Sequence, residues 1–205
     1  MRRSDAVVAD RRQLDVGTKA RIEQAVLEVF AEREFHRVGL IEIARAANVS
    51  LQTLYKYYGG KEALLFASLD VWLGKLATRM IDHLQGIEDD KERLRKVFWV
   101  CLDFYERHPK LMQMQMSSVY VNTWRKHEQF DNPQLLGTFM KVLREGREKG
   151  VITDEVDEKY VLDFIMGTLA RVIQMHVHRG MREPLVAQAN PLFEMLWRAI
   201  AKPRA

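Results

Sequence analysis

Residues 43–64 read IARAANVSLQTLYKYYGGKEAL and carry the most informative pattern in the chain. A helix-turn-helix needs small residues where two short helices cross, a sharp turn between them, and a cap for the second helix. Here Ala47 is small, Asn48 tolerates a left-handed backbone, Val49 can fill the corner and Ser50 can cap the next helix. The segment therefore predicts a helix-turn-helix.

The second helix of this motif, predicted over residues 51–57, has two chemically different sides. Leu54 and Tyr58 are spaced to lie on one face and are expected to point inward. The opposite side gathers groups that suit base edges and phosphates in a DNA major groove, namely Gln52, Thr53, Lys56 and Tyr57. The alternative is an ordinary hairpin of a helical bundle, but such a hairpin rarely presents polar and aromatic side chains outward beside a Gly-Gly-Lys segment.

Length and composition place the chain among globular proteins. It has 205 residues, of which 47% are hydrophobic and 29% charged, with a formal net charge of +4. One compact body or two closely joined ones are expected, and the mild positive charge only weakly favours a polyanionic partner. The single cysteine, Cys101, excludes an intramolecular disulfide, and neither a secretory leader nor a membrane span is apparent, so we expect a cytoplasmic protein.

Hydrophobic periodicity predicts an all-α fold of about nine helices and no strand. Start signals for these helices occur at Thr18, Leu40, Leu51, Lys61, Asp90, Pro109, Asn132-Pro133, Asp157 and Asn190-Pro191. The domains predicted from this pattern are a mobile arm over 1–15, a DNA-binding domain over 16–62, and a larger domain over 63–205. The arm contains Arg2, Arg3, Arg11 and Arg12, which could touch phosphates but equally suit a solvated terminus.

Residues 18–65 resemble the DNA-binding region of the TetR family of bacterial transcriptional regulators. The resemblance is carried by residues that match in register: Thr18, Ile22, Ala25, Leu27, Phe30, Phe35, Ile43, Ala44, Ala47, Val49, Ser50, Thr53, Leu54, Tyr55, Tyr57, Lys61, Glu62 and Leu64. The chain departs from the family pattern where Glu34 and Asn48 replace glycines, and where Val38 and Gly39 replace a hydroxyl pair. Losing the hydroxyls removes a phosphate contact from the second helix and leaves Gly39 as a weaker cap.

The resemblance implies an N-terminal three-helix DNA-binding domain followed by a helical ligand-binding and dimerisation domain. It also implies roles for individual residues. Bases would be contacted by Leu51, Gln52, Thr53 and Lys56. Phosphates would be held by Tyr55, Tyr57 and Lys61.

The region after residue 66 matches the family only in its helix layout, so a ligand site is inferred from side-chain type. Aromatic and thioether side chains suit an adaptable cavity wall, although each one taken singly fits an ordinary core. The candidate set is Trp72, Phe98, Cys101, Tyr105, Met112, Met116, Tyr120, Trp124, Phe139 and Met140. A small hydrophobic or amphipathic effector is expected, with no cofactor.

The last two helices carry more apolar surface than a terminal pair in a monomer needs. The family resemblance implies that they form a dimer interface, with candidate residues Phe164, Ile165, Leu169, Val172, Phe193, Leu196, Trp197 and Ile200. A homodimer also has an independent rationale, because two recognition helices about 34–36 Å apart can read a palindromic operator in successive major grooves.

Other classes of function receive less support. The chain has no Gly-x-Ser-x-Gly, no His-Glu-x-x-His and no phosphate-binding glycine loop, so an enzyme is not expected. No helix shows the one-sided basic face of a membrane-surface adaptor. No histidine pair has metal-ligand spacing. Within the regulator class a repressor released by its ligand is the default expectation, and an activator or a corepressor-dependent regulator stays an alternative.

Overall fold

The computed structural model describes residues 14–118 and 133–203. Nine α-helices lie within these two ranges, in agreement with the predicted all-α fold: α1 (Val16–Glu32), α2 (Leu40–Ala46), α3 (Leu51–Tyr58), α4 (Lys61–Leu84), α5 (Asp90–Arg107), α6 (Pro109–Ser118), α7 (Pro133–Glu148), α8 (Glu158–His178) and α9 (Ala189–Ile200). Short 3-10 helices precede α2 (Phe35–Arg37) and α9 (Leu185–Gln188).

Most predicted helix ends agree with the structure, and three caps differ. Asp15, not Thr18, caps α1, because its carboxylate accepts the Thr18 backbone N–H at 2.9 Å. Asp89, not Asp90, caps α5 in the same way. Helix α9 begins at Ala189, directly after a 3-10 turn, rather than at Asn190-Pro191. The cap at Asp157 is confirmed.

The described residues divide into two compact units. A first unit comprises residues 14–72 and 110–118, and a second unit comprises residues 73–109 and 133–203. Helix α4 is continuous through the point of division. This division comes later in the chain than the predicted domain boundary at 62/63, and that boundary stays a prediction. The predicted arm over 1–15, with its arginines, lies almost entirely outside the described residues.

The core of the first unit is formed by α1, α2, α3, the first half of α4 and α6. Ile22, Phe30, Ile43 and Leu54 are fully buried there. The rings of Phe30 and Phe35 are stacked with centroids 5.8 Å apart. Short helices such as α2 and α3 are not stable by themselves, so this shared core is what holds them.

Helix α5 is the centre of the second unit and packs against α7, α8 and α9. Phe98 on α5 lies 6.0 Å from Phe193 on α9, measured between ring centroids. The carboxylate of Glu106, near the end of α5, accepts the backbone N–H groups of Leu185 and Val186 at 3.1 and 3.0 Å. Since a carboxylate at the start of a helical turn satisfies free N–H groups, Glu106 fixes the 3-10 turn that leads into α9.

Candidate nucleic-acid interface

The turn between α2 and α3 has the geometry that a helix-turn-helix requires. Asn48 adopts a left-handed conformation with φ of 52°, as its position in the sequence predicts. The Val49 N–H donates to the Ala44 carbonyl at 2.9 Å, and Ala47 is fully buried at the crossing. Ser50 caps α3 by accepting the Thr53 backbone N–H at 3.0 Å. These contacts fix the direction in which α3 leaves the turn.

Helix α3 presents the faces that its sequence predicts. Leu54 is fully buried and Tyr58 is 8% exposed, so both point inward. Of the predicted DNA-contacting residues, Gln52, Tyr55 and Lys56 are exposed, whereas Leu51, Thr53 and Tyr57 are half-buried. The eight residues of α3 include one lysine and no acidic side chain. The outer face of α3, defined here by Gln52, Thr53, Lys56 and Tyr57, is therefore polar and weakly cationic.

Two contacts order side chains on this outer face. The hydroxyls of Thr53 and Ser50 are 2.8 Å apart and share a hydrogen bond. The Lys56 ammonium lies 4.9 Å from the centroid of the Tyr57 ring, within the range of a cation–π interaction. Thr53 thereby keeps its methyl group for contact with an apolar atom such as a thymine methyl. The base and phosphate contacts themselves stay predictions.

Lys61, at the start of α4, makes contacts within the protein in addition to its predicted phosphate contact. Its ammonium donates to the carbonyls of Phe35 and Val38, both at 2.7 Å, and lies 4.4 Å from the centroid of the Phe35 ring. Partial burial lowers the pKa of Lys61. An ammonium has three N–H donors, so one remains for a phosphate. The contact with DNA stays a prediction. The two hydrogen bonds connect the start of α4 to the loop before α2.

The start of α2 agrees with what the departures from the family pattern imply. Gly39 occupies the N-cap and provides no side-chain hydrogen bond. Val38 is 2% exposed, so its side chain belongs to the core and offers nothing to a phosphate. Ile41 and Arg45, by contrast, are exposed on α2. Both belong to the same helix-turn-helix as the α3 face, and the sequence pattern does not single them out.

Arg21 on α1 was also missed by sequence reasoning. Its Nε donates to the Ala47 carbonyl at 3.2 Å, and its guanidinium also bonds the Thr18 hydroxyl at 2.9 Å. This links α1 to the turn of the helix-turn-helix. The partners Arg21 and Ala47 are 26 residues apart, so no local pattern reveals the contact.

The predicted ligand-pocket residues are placed separately in the two units. In the first unit Trp72 and Met112 are buried and Met116 is 45% exposed. In the second unit the buried members are Phe98, Cys101 and Phe139, and the half-buried ones are Tyr105 and Met140. Tyr120 and Trp124 lie outside the described residues. An opening of about 890 Å³ between α8 and the start of α9 is lined by other side chains, among them Arg171, Met175 and Leu192.

The residues predicted for a dimer interface fall on both sides of α8 and α9. Five of the eight are buried in the core of their own chain: Ile165, Leu169, Phe193, Leu196 and Ile200. A side chain already enclosed by its own chain has no surface left for a partner. Phe164 is 49% exposed, and Val172 and Trp197 are half-buried. The interface as a whole stays a prediction, and Phe164 is the most exposed of its eight predicted residues.

Among the described residues, no group of three or more His, Cys, Asp or Glu side chains is arranged to hold a metal ion. Within the same ranges, no helix combines the length and the apolar character that crossing a bilayer requires.

Two family models match consecutive parts of the chain. One, described as bacterial regulatory proteins of the tetR family, matches residues 22–68, which include α2, the turn and α3. The other, described as the C-terminal region of YsiA-like protein, matches residues 70–199, which is more than half of the chain.

Curated relatives and solved structures agree with this assignment. The Fatty acid metabolism regulator protein of Bacillus subtilis is 24% identical over 184 residues, which cover 85% of this chain and 91% of that protein. The HTH-type transcriptional repressor SCO4008 of Streptomyces coelicolor is 28% identical over 140 residues, covering 68% of this chain and 69% of the relative. A crystal structure of FadR from Bacillus subtilis in complex with stearoyl-CoA aligns with a TM-score of 0.78 at 24% identity, covering 87% of this chain and 97% of that one.

The family models and the relatives describe transcription regulators, not enzymes, and the structure supplies the matching helix-turn-helix with an exposed polar α3. The chain therefore belongs to the tetR family of bacterial regulatory proteins and is a DNA-binding transcription regulator.

Proposed function

We propose that the protein is a transcriptional repressor that binds a palindromic operator as a homodimer and leaves it when a long-chain acyl thioester of coenzyme A binds. The observation that carries the DNA-binding part is the exposed outer face of α3, held by the Ser50 cap and the Asn48 turn. The same scheme places the protein in the cytoplasm, where the operator and such thioesters are found together.

Base recognition in this proposal is assigned to Gln52 and Lys56. Both side chains are exposed on α3, and amide and ammonium groups can bond purine edges in the major groove. Tyr55, which is 51% exposed, and Tyr57 would hold phosphates with their hydroxyls. Lys61 would use its third N–H for a phosphate while its other two hold the Phe35 and Val38 carbonyls.

The homodimer is supported by the apolar side chains that α8 and α9 leave exposed. Tyr160 is 58% exposed, Phe164 49% and Met195 62%. Tyr160 and Phe164 are one turn apart on α8, and contiguous exposed apolar side chains are typical of a protein–protein contact. Two recognition helices are also needed to read enough base pairs for an operator.

The effector class is proposed from two relatives and from the chemistry of the second unit. The Bacillus subtilis relative is named for fatty acid metabolism, and the aligned FadR structure holds stearoyl-CoA. The core of the second unit is aliphatic and aromatic, with Phe98, Phe139 and Phe193 fully buried. An acyl chain is the kind of ligand that such side chains can enclose.

Release of the operator would be transmitted through α4. This helix begins directly after the helix-turn-helix and contributes to both units without a break. The protein is in equilibrium between a form that binds DNA and a form that does not. An effector can shift this equilibrium only by the difference between its binding free energies for the two forms. Corepression would follow if the effector preferred the other form, and activation is the remaining alternative within the family.

Operator binding is tested by selecting a duplex from random oligonucleotides and titrating it at several salt concentrations. A repressor dimer that neutralises several phosphates should lose about 10³–10⁵ in affinity between 50 and 200 mM salt. Lys61→Ala should weaken all duplexes alike, because a phosphate contact carries no sequence information. A purified protein that binds every duplex equally and weakly would contradict the proposal.

The effector is tested by adding stearoyl-CoA to the protein–operator complex, with stearate and free coenzyme A as matched controls. Stearoyl-CoA should release the operator at concentrations where neither control does, because only the thioester combines the acyl chain with the coenzyme A moiety. A reporter gene behind the operator should then be induced. Tight binding of stearoyl-CoA without any change in operator affinity would reject the coupling between the two sites.

A further inference from the structure

Helix α8 has two distinct faces. The buried residues Val161, Ile165, Leu169 and Ile173 form its inner face, which packs in the second unit. The opposite face is solvent-exposed, and we refer to it as the outer stripe of α8. Its members are Tyr160, Asp163, Phe164, Gly167, Ala170 and Arg171.

The outer stripe is arranged symmetrically about Gly167. Asp163 precedes this glycine by four residues and Arg171 follows it by four. With a rise of about 1.5 Å per residue, each charge lies about 6 Å from Gly167 along the helix axis. Arg171 donates to the Gln174 amide at 3.0 Å, and within the ranges that the structure describes neither Asp163 nor Arg171 has an oppositely charged partner.

A homodimer with two-fold symmetry brings the same surface of two copies together. If the two-fold axis passes through Gly167 at right angles to α8, the two α8 helices run antiparallel. Asp163 then lies opposite the partner's Arg171, and Arg171 opposite the partner's Asp163. If the axis ran along α8, the helices would be parallel and like charges would meet, which is unfavourable.

The centre of the outer stripe has room for a close approach. A side-chain carbon added at Gly167 would meet no atom within 4 Å, and Ala170 is the next small residue on the stripe. An opening of about 530 Å³ here is lined by side chains that include Asp163, Phe164 and Arg171. In the antiparallel arrangement the exposed Phe164 ring would cover the partner's Ala170, because each position is three residues from Gly167.

We infer that α8 pairs antiparallel with α8 of a second copy, crossing at Gly167, and that the reciprocal Asp163–Arg171 ion pairs set the register and make the chain select its own copy. This rests on the homodimer of the proposed function and names the contact that determines the partner. Two exposed small residues at the crossing and opposite charges at equal distances on either side are a self-complementary pattern, which a face that only meets water does not need.

The charges are tested by reversal, with the monomer–dimer equilibrium measured by sedimentation. Asp163→Lys and Arg171→Asp should each raise the dimer dissociation constant at least about tenfold, because each places like charges opposite each other twice in the dimer. The double variant D163K/R171D should restore the wild-type value. Glu148→Lys, a reversal of an exposed charge on α7, is the matched control and should leave the equilibrium unchanged.

Mixing the two single variants gives a sharper result. One D163K chain and one R171D chain present opposite charges at both contacts, so their mixture should form heterodimers while each variant alone is mostly monomeric. Native mass spectrometry distinguishes the three species by mass. All substituted positions are exposed, and thermal unfolding followed by circular dichroism verifies that the variants fold.

A second measurement does not depend on charge. A residue on the two-fold axis meets its own copy, so Gly167→Cys should form an intermolecular disulfide under mild oxidation. Ala170→Cys should not, because its two copies are separated along the helix axis. The native Cys101 is buried, and its pKa is raised to about 12, so it does not interfere.

The outcomes separate this inference from the proposed function. A wild-type dimer that survives both single reversals and does not crosslink through Gly167→Cys overturns the pairing at Gly167 but leaves a DNA-binding homodimer in place. A monomeric wild-type protein overturns both the pairing and the homodimer. Dissociation by the single reversals, rescue by the double variant and crosslinking at the glycine support the pairing.

Discussion

Helices α3 and α8 both present an outward face, but the two faces differ in chemistry. In α3 the buried residues are Leu54 and Tyr58, and the outer face carries amide, hydroxyl and ammonium groups. In α8 the inner face is apolar, and the outer stripe includes Tyr160 and Phe164 as well. A polar face suits the hydrated groove of a duplex, whereas an apolar face with balanced charges suits another protein. The contrast supports the two proposals that α3 binds DNA and that α8 binds a second copy.

The largest effect should come from two neighbouring residues on opposite sides of α8. Ile165 is 3% exposed and Phe164 49%. Ile165→Ala should lower the free energy of unfolding by about 2–5 kcal/mol, because a buried side chain leaves a cavity. Phe164→Ala should leave the chain folded and shift it toward the monomer. Urea unfolding and sedimentation together check this, and equal effects of the two changes on unfolding would remove the distinction between inner and outer faces.

Removing a base contact on α3 should have the next largest effect. Lys56→Ala or Gln52→Ala should weaken binding to the selected operator by about 1–3 kcal/mol and relax the preference of the protein for that sequence. Lys19→Ala, at an exposed position on α1, is the matched control. Competition between the selected duplex and single-base variants in a fluorescence assay gives both quantities. Unchanged preference after both α3 substitutions would mean that another surface reads the bases.

The Ser50 cap should contribute about 1 kcal/mol to the stability of α3. Ser50→Ala removes the acceptor of the Thr53 N–H and should reduce the free energy of unfolding by about that amount, whereas Ser50→Asp keeps an acceptor and should cost less. Urea unfolding measures both. Because α3 presents its polar face from this start, operator affinity should fall in the same order. An alanine variant as stable as the wild type would show that the α2–α3 turn holds without its cap.

The smallest effect concerns His108, which follows α5. Partial burial, and then the charges of Lys75, Arg79 and Arg107, lower its pKa from the ordinary 6.5, while Asp103 raises it. Because the folded state prefers the neutral imidazole, the contribution of His108 to the free energy of unfolding is fully present above about pH 6.5. That contribution is lost as pH falls below this value. Between about pH 7.5 and about pH 5.5, the melting temperature of the wild type should fall more than that of His108→Gln. Equal slopes would contradict the assignment.

Local features of the first unit could be predicted because a few neighbouring residues determine them. The Asn48 turn, the Ser50 cap and the inward position of Leu54 all depend on residues within one helical turn. The prediction of Thr18 as the N-cap of α1 was wrong. Asp15 and Thr18 are both good capping residues, and sequence alone does not rank them. The contacts of Arg21 and Lys61 with distant carbonyls leave no sequence pattern.

The second unit was harder to predict because its helices are apolar on more than one side. On α8, hydropathy does not tell Ile165, which packs in its own chain, from Phe164, which is exposed. The predicted ligand residues of this unit show the same limit, since Phe98 is buried in the core and Tyr105 is half-buried. Burial here depends on which helices meet, and that depends on contacts between distant parts of the chain.

Glu106 connects the end of α5 to the 3-10 turn before α9, within the second unit. Its two carboxylate oxygens hold the backbone of Leu185 and Val186, about eighty residues further along, just where the chain turns into α9. Because two hydrogen bonds hold the Glu106 carboxylate to this backbone, a displacement of the end of α5 would also displace the 3-10 turn before α9. A ligand that displaced α5 would thus alter the helix next to the proposed dimer contact without touching it.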